Sequence, residues 1–194
     1  MRLFVALDLD ADIRRSIATY LEGVRGFAPD ARWAKPEALH VTLKFIGEQP
    51  EGEVARIQNA LTAIRVPSIS LAFRGYGFFP TVKAARVFWI GIDASAALPH
   101  LATQVDTALA TLGIPREEHV YTPHLTLARS GSAAPRLRRE EKSNARFQHL
   151  QEKLSALPLP NFGTITAHEF FLFQSKLSPA GSQYSKLASF QLVS

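Results

Sequence analysis

Apolar and polar positions alternate along this chain in two rhythms. Leu3 to Leu9 is an almost unbroken apolar run, the pattern of a buried strand. Asp10 then stands where a helix cap belongs. Ile13, Ile17, Leu21 and Val24 follow at helical spacing and predict a helix over 11–25. A short strand is predicted over 31–34, stopped by Pro36, and another over 40–46, ended by Gly47. Val54, Ile57, Leu61 and Ile64 share one stripe of a helix over 51–64. A strand over 69–73 precedes Gly75, Gly77 and Pro80, which read as turns. Next come a strand over 86–92 and a helix over 97–112 that stops at Gly113. A connection over 115–121 leads to a strand over 124–128. Residues 130–135 read as a loop and 136–156 as partly helical, ended by Pro158 and Pro160. Strands over 165–174 and 189–193 complete the pattern.

The order of these elements repeats. Strand, helix, strand, helix runs once over 3–64 and again over 87–156. His40 and His124 lie 84 positions apart, and so do Phe4 and Phe88 in the two leading strands. The repeat predicts an internal duplication, with those stretches as equivalent halves. No flexible linker separates them. One α+β domain over 1–194 is therefore expected, with two similar lobes.

Within the repeat, two motifs carry chemistry: His40-Val41-Thr42-Leu43 and His124-Leu125-Thr126-Leu127. On a strand, side chains alternate faces, so each imidazole shares a face with a hydroxyl. Two such pairs in one cleft suit a phosphodiester. Imidazoles take and give protons near neutrality. Threonine hydroxyls donate to phosphoryl oxygens, and their β-branched side chains are stiff. A single His-x-Thr in a strand is ordinary structure. Two copies at equivalent places in two similar halves are not.

Other chemistries are excluded or disfavoured. The chain has no cysteine, which removes disulfides, thiolate metal sites and thiol nucleophiles. It lacks a Gly-x-Ser-x-Gly elbow, a His-Glu-x-x-His metal motif and a phosphate-binding Gly-x-x-x-x-Gly-Lys loop. No metal or cofactor is expected. The net charge of +5 and a pI near 9.7 favour a polyanionic partner such as RNA. The apolar run Leu3–Leu7 is too short for a signal peptide, and no run reaches the length of a membrane span. A soluble cytoplasmic protein, monomeric, is expected.

The residues around the motifs are more specific still. Met1-Arg2-Leu3-Phe4-Val5-Ala6-Leu7-Asp8-Leu9 and Arg32-Trp33 precede His40-Val41-Thr42-Leu43-Lys44-Phe45-Ile46-Gly47. Tyr121-Thr122-Pro123-His124-Leu125-Thr126-Leu127-Ala128-Arg129 forms the second motif. Ser175-Lys176-Leu177-Ser178-Pro179, with Gly181, Tyr184 and Leu187, closes the pattern. Together they resemble the two-histidine (2H) phosphoesterase superfamily, and within it the RNA 2′,3′-cyclic phosphodiesterase branch, first described as a 2′-5′ RNA ligase. The resemblance spans essentially the whole chain. It implies a bilobal fold, each lobe with an antiparallel sheet and flanking helices around a central cleft. It implies metal-free hydrolysis of RNA 2′,3′-cyclic phosphate ends to 2′-phosphomonoesters, with 2′-5′ ligation as the reverse reaction. Carried over by position, His40 is the proton donor to the departing 3′ oxygen. His124 is the proton acceptor that activates water, and Thr42 and Thr126 accompany them. The near-symmetry of the motifs does not itself distinguish the two roles.

Substrate-binding expectations fall on Arg129, Lys44 and Tyr121. Arg129 lies at odd spacing from His124, so a regular strand would turn it away from the cleft. The resemblance puts an Arg beside the phosphate, which requires a bend. Lys44 lies at even spacing from His40 and shares its face if the strand stays regular. Tyr121 is expected to line the cleft or pack beside it. Phe78 and Phe79 offer either a stacking platform for a base or packing between lobes. Arg136, Arg138, Arg139, Lys142 and Arg146 form a basic run interleaved with Glu140 and Glu141, read as a solvated helix face ahead of an RNA contact. His100 and His149 read as surface residues, His119 as a bystander near the site, and His168 has no partner motif. Two alternatives stay open: a phosphodiesterase on another cyclic or 2′-5′-linked nucleotide, and a non-catalytic protein that binds RNA ends. The histidine pair argues against the second, because binding alone favours Arg and Lys.

Overall fold

The computed structural model describes residues 1–130, 145–178 and 181–193. The elements are β1 (Arg2–Leu7), α1 (Ala11–Val24), β2 (Ala31–Trp33), β3 (Val41–Glu48), α2 (Val54–Thr62), β4 (Ile69–Phe79) and β5 (Val87–Ala94). They continue with α3 (Ala97–Ala110), β6 (His124–Ser130), α4 (Ala145–Ser155), β7 (Asn161–Ala167), β8 (Glu169–Ser178) and β9 (Gly181–Gln191). Short 3-10 turns at Pro36–Ala38 and Glu51–Glu53 lead into β3 and α2. Asp10 caps α1 as its position predicts, its carboxylate accepting from the Ile13 N–H at 2.8 Å.

The strands form two antiparallel sheets. The first has the order β3-β1-β8-β9 and the second β2-β6-β5-β4-β7. In each, a motif strand (β3 or β6) pairs with a leading strand (β1 or β5), so the sheets repeat one scheme. Residues 3–64 and 87–156 do not make the lobes by themselves. The first sheet takes β8 and β9 from beyond residue 168, while β2 crosses to pair with β6 in the second.

The helices cross over as well. α1 follows β1 of the first sheet but packs on β7 of the second. Tyr20 meets Phe162 edge-on there, and Ile13 lies against Gly163. α3 follows β5 of the second sheet but packs on β3 and α2 beside the first. The halves are thereby interlocked. One continuous apolar core runs through both, from Leu3 and Ile17 to Phe88, Leu101 and Phe170. A smaller cluster of Phe4, Ala6, Phe171 and Phe173 covers the opposite face of the first sheet.

Several boundaries differ from the sequence reading. Gly75 and Gly77 do not end a strand: β4 runs through both to Phe79. Gly75 has φ +68 and sits in a register irregularity. Gly77 lies under the Trp89 indole, and a Cβ there would stand 2.2 Å from the ring. The cross-sheet neighbour, which no local pattern reveals, demands that glycine. The predicted strand over 165–174 is two strands, parted at His168, and β9 begins well before residue 189. The predicted loop over 130–135 lies largely outside the described residues, as does the first part of the helix over 136–156. So do Arg136, Arg138, Arg139 and Lys142 of the basic run, the side chain of Arg146, and Pro179.

Candidate active site

Each histidine enters its strand on the same local device. The Nδ1 of His40 lies 2.7 Å from the Ala38 carbonyl, and that of His124 lies 2.8 Å from the Thr122 carbonyl. A carbonyl oxygen only accepts, so each Nδ1 carries the hydrogen and donates it. That fixes one tautomer and leaves Nε2 as the free nitrogen that takes or gives a proton. Ala38 ends the 3-10 turn ahead of β3, and Thr122 lies in the irregular connection that leads into β6.

Strand register decides what stands beside each imidazole. Thr42 pairs with Ala6, Lys44 with Val5, and Leu43 is left as an extra residue. In the second sheet Thr126 pairs with Trp89, Ala128 with Phe88, and Leu127 is the extra residue. Each motif strand therefore carries a bulge just after its threonine, which reverses the alternation beyond it. Phe45 and Arg129, at odd spacing from their histidines, are thus brought onto the histidine face. This is the bend that places Arg129 in the cleft.

The same bulge corrects Lys44. Its side chain is turned away from the cleft and is 2% exposed. The ammonium donates to Asp106 Oδ1 at 2.6 Å and to the Pro115 carbonyl at 2.8 Å. Even spacing assumed a regular strand, and the extra residue breaks that assumption. Of the two readings of Tyr121, packing beside the cleft is the one the structure shows, and the substrate-binding reading is corrected: it is absent from the lining, and its hydroxyl donates to the Thr42 carbonyl at 3.0 Å. Burial pushes its phenol well above the ordinary range. Phe88 is not the counterpart of Phe4 either. Phe4 pairs with Phe45 and Val87 with Arg129, so equivalence in the leading strands runs at a spacing of 83. The 84-residue spacing holds for β3 and β6 only.

His40, Thr42, His124, Thr126, Phe45 and Arg129 all line one cleft of about 800 Å³. β3 and β6 approach each other at its floor. His40 packs on Phe4 at 4.6 Å between ring centroids and meets Tyr184 edge-on at 5.1 Å. His124 meets Phe79 edge-on at 4.9 Å. Phe79 thus braces the second histidine, whereas Phe78 is buried between Phe88 and Phe147. Arg2, Arg32 and Lys35 add positive charge to the lining. His100, His119, His149 and His168 are exposed and outside it.

Burial lowers the pKa of both histidines below the ordinary imidazole value, and the Arg129 charge pushes both further down. The carbonyl bonds oppose this at each ring. His40 alone feels two further charges: the Asp8 carboxylate raises its pKa and the Arg14 guanidinium lowers it. Asp8 is itself held by Arg14 and Lys186, each at 2.5 Å.

Sequence reasoning missed Phe45 as a cleft residue. Its signal was present: Phe45 stands 84 positions before Arg129, so aligning the two motifs would have paired them. Phe4 and Tyr184 as walls around His40 carried no local signal, because a β-sheet brings distant strands together.

Two antiparallel sheets that each deliver one His-x-Thr pair to a shared cleft define the class of two-histidine phosphoesterases. The chain belongs to the 2′-5′ RNA ligase superfamily, whose sequence profile matches residues 13–160. It is 33% identical to the RNA 2′,3′-cyclic phosphodiesterase of Archaeoglobus fulgidus over 191 residues, covering 98% of this chain and all of that protein. It is 30% identical to the protein of the same name from Methanothermobacter thermautotrophicus over 194 residues, covering 99% of each. Among solved structures, Escherichia coli LigT complexed with 3′-AMP superposes with a TM-score of 0.78 at 26% identity, over 100% of this chain and 98% of that one. Among the described residues, no helix is long and apolar enough to cross a membrane.

Proposed function

We propose that this chain hydrolyses RNA 2′,3′-cyclic phosphate ends to 2′-phosphomonoesters by paired histidine acid–base catalysis. The observation that carries this reading is the matched anchoring of the two imidazoles. Each is locked through Nδ1 to a carbonyl, and they come from different sheets into one cleft. The names of the curated relatives supply the substrate class.

In this mechanism His124 takes a proton from water as the water attacks phosphorus. His40, protonated, gives its proton to the departing 3′ oxygen. The Asp8 carboxylate raises the His40 pKa and the Arg14 guanidinium lowers it, so the choice of His40 as donor rests on the likeness to the two-histidine phosphoesterases. Thr42 and Thr126 donate to the phosphoryl oxygens, and Arg129 balances their charge. A bound phosphate anion also offsets the Arg129 charge and raises both imidazole pKa values from the depressed free state. Phe45 is 55% exposed at the cleft and offers a face for the terminal base. With the 5′-hydroxyl of a second RNA in place of water, the same steps form its bond to phosphorus, release the 3′ oxygen with the His40 proton, and leave a 2′-5′ linkage.

Acid, base and charge-stabilising donors are all side chains of this chain, so the proposal includes no metal and no cofactor. The test is turnover of a dinucleotide 2′,3′-cyclic phosphate in EDTA. Full activity is expected; loss restored by a divalent ion would overturn the metal-free mechanism. The substrate partner is RNA with cyclic phosphate ends, or a small cyclic nucleotide. The histidines, threonines and Arg129 of the cleft all come from one chain, which supports a monomer acting on RNA, and the proposal places that activity in the cytoplasm. The matching registers of β1–β3 and β5–β6 support an internal duplication within one bilobal domain over 1–194.

A further inference from the structure

Each histidine is preceded by a segment fastened to the strand that carries the other histidine. Before His40 the fastening is backbone. β2 pairs with β6 from Ala31 opposite Ser130 to Trp33 opposite Ala128, and the Ala34 N–H donates to the Leu127 carbonyl at 2.7 Å. Before His124 no strand forms between Ala110 and His124. Side chains make that fastening instead. Tyr121, three residues ahead of His124, donates its hydroxyl to the Thr42 carbonyl at 3.0 Å. Lys44 reaches from β3 to the Pro115 carbonyl and to Asp106, and Asp106 also accepts the Glu117 N–H at 3.0 Å. The Glu117 carboxylate lies 3.8 Å from the same ammonium.

We propose that Lys44 and Tyr121 are positioning residues. Through Asp106 and the 115–121 connection they hold His124 at its working distance from His40. They do with side chains what β2 does with backbone on the other side. The inference rests on the two-histidine reading above.

The difference between the motifs supports it. Lys44 and Ala128 stand at equivalent places, one just past each bulge. Ala128 is paired to β2, so its lobe needs no reaching side chain. Lys44 faces a connection without a strand, and its long cation spans that gap. An apolar residue would fill the same space without the cost of burying an ammonium. A buried pair of this kind is a weak source of stability and a strong source of defined geometry.

Tyr121→Phe keeps the ring and removes one hydroxyl. Lys44→Met combined with Asp106→Leu removes the ion pair without stranding a charge. Both are measured with a dinucleotide 2′,3′-cyclic phosphate, with circular dichroism and Tm as the check on folding. For Tyr121→Phe, kcat is expected to fall about tenfold while KM stays within about twofold, because small misplacements of a catalytic group cost turnover rather than binding. The double variant is expected to show the same split with a circular dichroism spectrum like wild type. In single turnover with His124→Ala enzyme in excess, adding Tyr121→Phe is expected to cost nothing further, because the residue acts through His124.

A folded Tyr121→Phe protein with unchanged kcat overturns the proposal. So does a change in KM alone, or an equal loss with and without His124. The wild type separates this from the wider reading. If wild type does not turn over, the two-histidine reading fails. If wild type and Tyr121→Phe turn over equally, only the positioning role fails.

Discussion

The two half-sites share a backbone and differ in nearly every wall residue. In both, a histidine is locked to the carbonyl two residues earlier, a threonine follows, and a bulge brings the next cleft residue round. That next residue is Phe45 in one half and Arg129 in the other. Behind the threonines, bulk is exchanged across the sheet. Thr42 is paired to Ala6, which lies beside Phe171; Thr126 is paired to Trp89, which lies over Gly77. The small residue sits on the leading strand in the first sheet and on its neighbour in the second. Backbone repetition supplies two proton-transfer groups of the same make. The unequal walls supply a direction: an aromatic face on the His40 side, cationic charge on the His124 side. A symmetric cleft would bind a nucleotide in either sense. This one has reason to bind it in one.

The largest effects come from removing the shared part. His40→Ala and His124→Ala are each expected to lower kcat by at least about 10²-fold, the scale of losing a positioned acid or base. Thr42→Ala and Thr126→Ala are expected to cost about 10–10³-fold, like losing one charge-stabilising donor. Steady-state kinetics on folded variants checks this, and a mild effect at one histidine would break the equivalence of the halves.

The next effect falls on stability and on one half only. Asp106→Ala leaves the buried Lys44 ammonium with only the Pro115 carbonyl and the more distant Glu117 carboxylate, which is expected to cost up to about 3–5 kcal/mol in urea unfolding. Ala128 marks the equivalent place in the second half and has no charge to strand. A small cost at Asp106 would mean that the buried pair is not what distinguishes the halves.

Smaller effects act through pH. Arg129 depresses both imidazoles, so Arg129→Ala is expected to move both limbs of the kcat/KM profile toward higher pH while weakening substrate binding. Asp8 raises His40 alone, so Asp8→Asn is expected to move one limb only, toward lower pH. With His40 as the proton donor, that is the alkaline limb. Movement of the acid limb instead would exchange the roles of the two histidines.

The hydrophobic rhythm revealed α1, α2 and α3 to within about three residues at each end, because each presents an amphipathic stripe to the core. The catalytic candidates were legible because chemistry had to be supplied twice in one pattern. What escaped was register. Lys44 and Phe45 are exchanged relative to a regular strand by one extra residue, Leu43, and nothing local in the sequence marks that bulge. The glycines of β4 misled for the opposite reason. Gly77 reads as a turn until Trp89, from the neighbouring strand, is seen lying across it. The exchange of β2 and the helices between lobes is likewise a long-range fact, set by which apolar faces find each other. Local spacing reports faces; it does not report partners.

The most direct test is phosphorus NMR of an RNA oligonucleotide ending in a 2′,3′-cyclic phosphate. It is incubated in EDTA with wild type, His40→Ala and His124→Ala. The account predicts conversion to a 2′-phosphomonoester by wild type and conversion at least about 10²-fold slower with either variant. An unchanged cyclic phosphate with wild type, a 3′-monoester product, or a rate little changed by the loss of either histidine would contradict it.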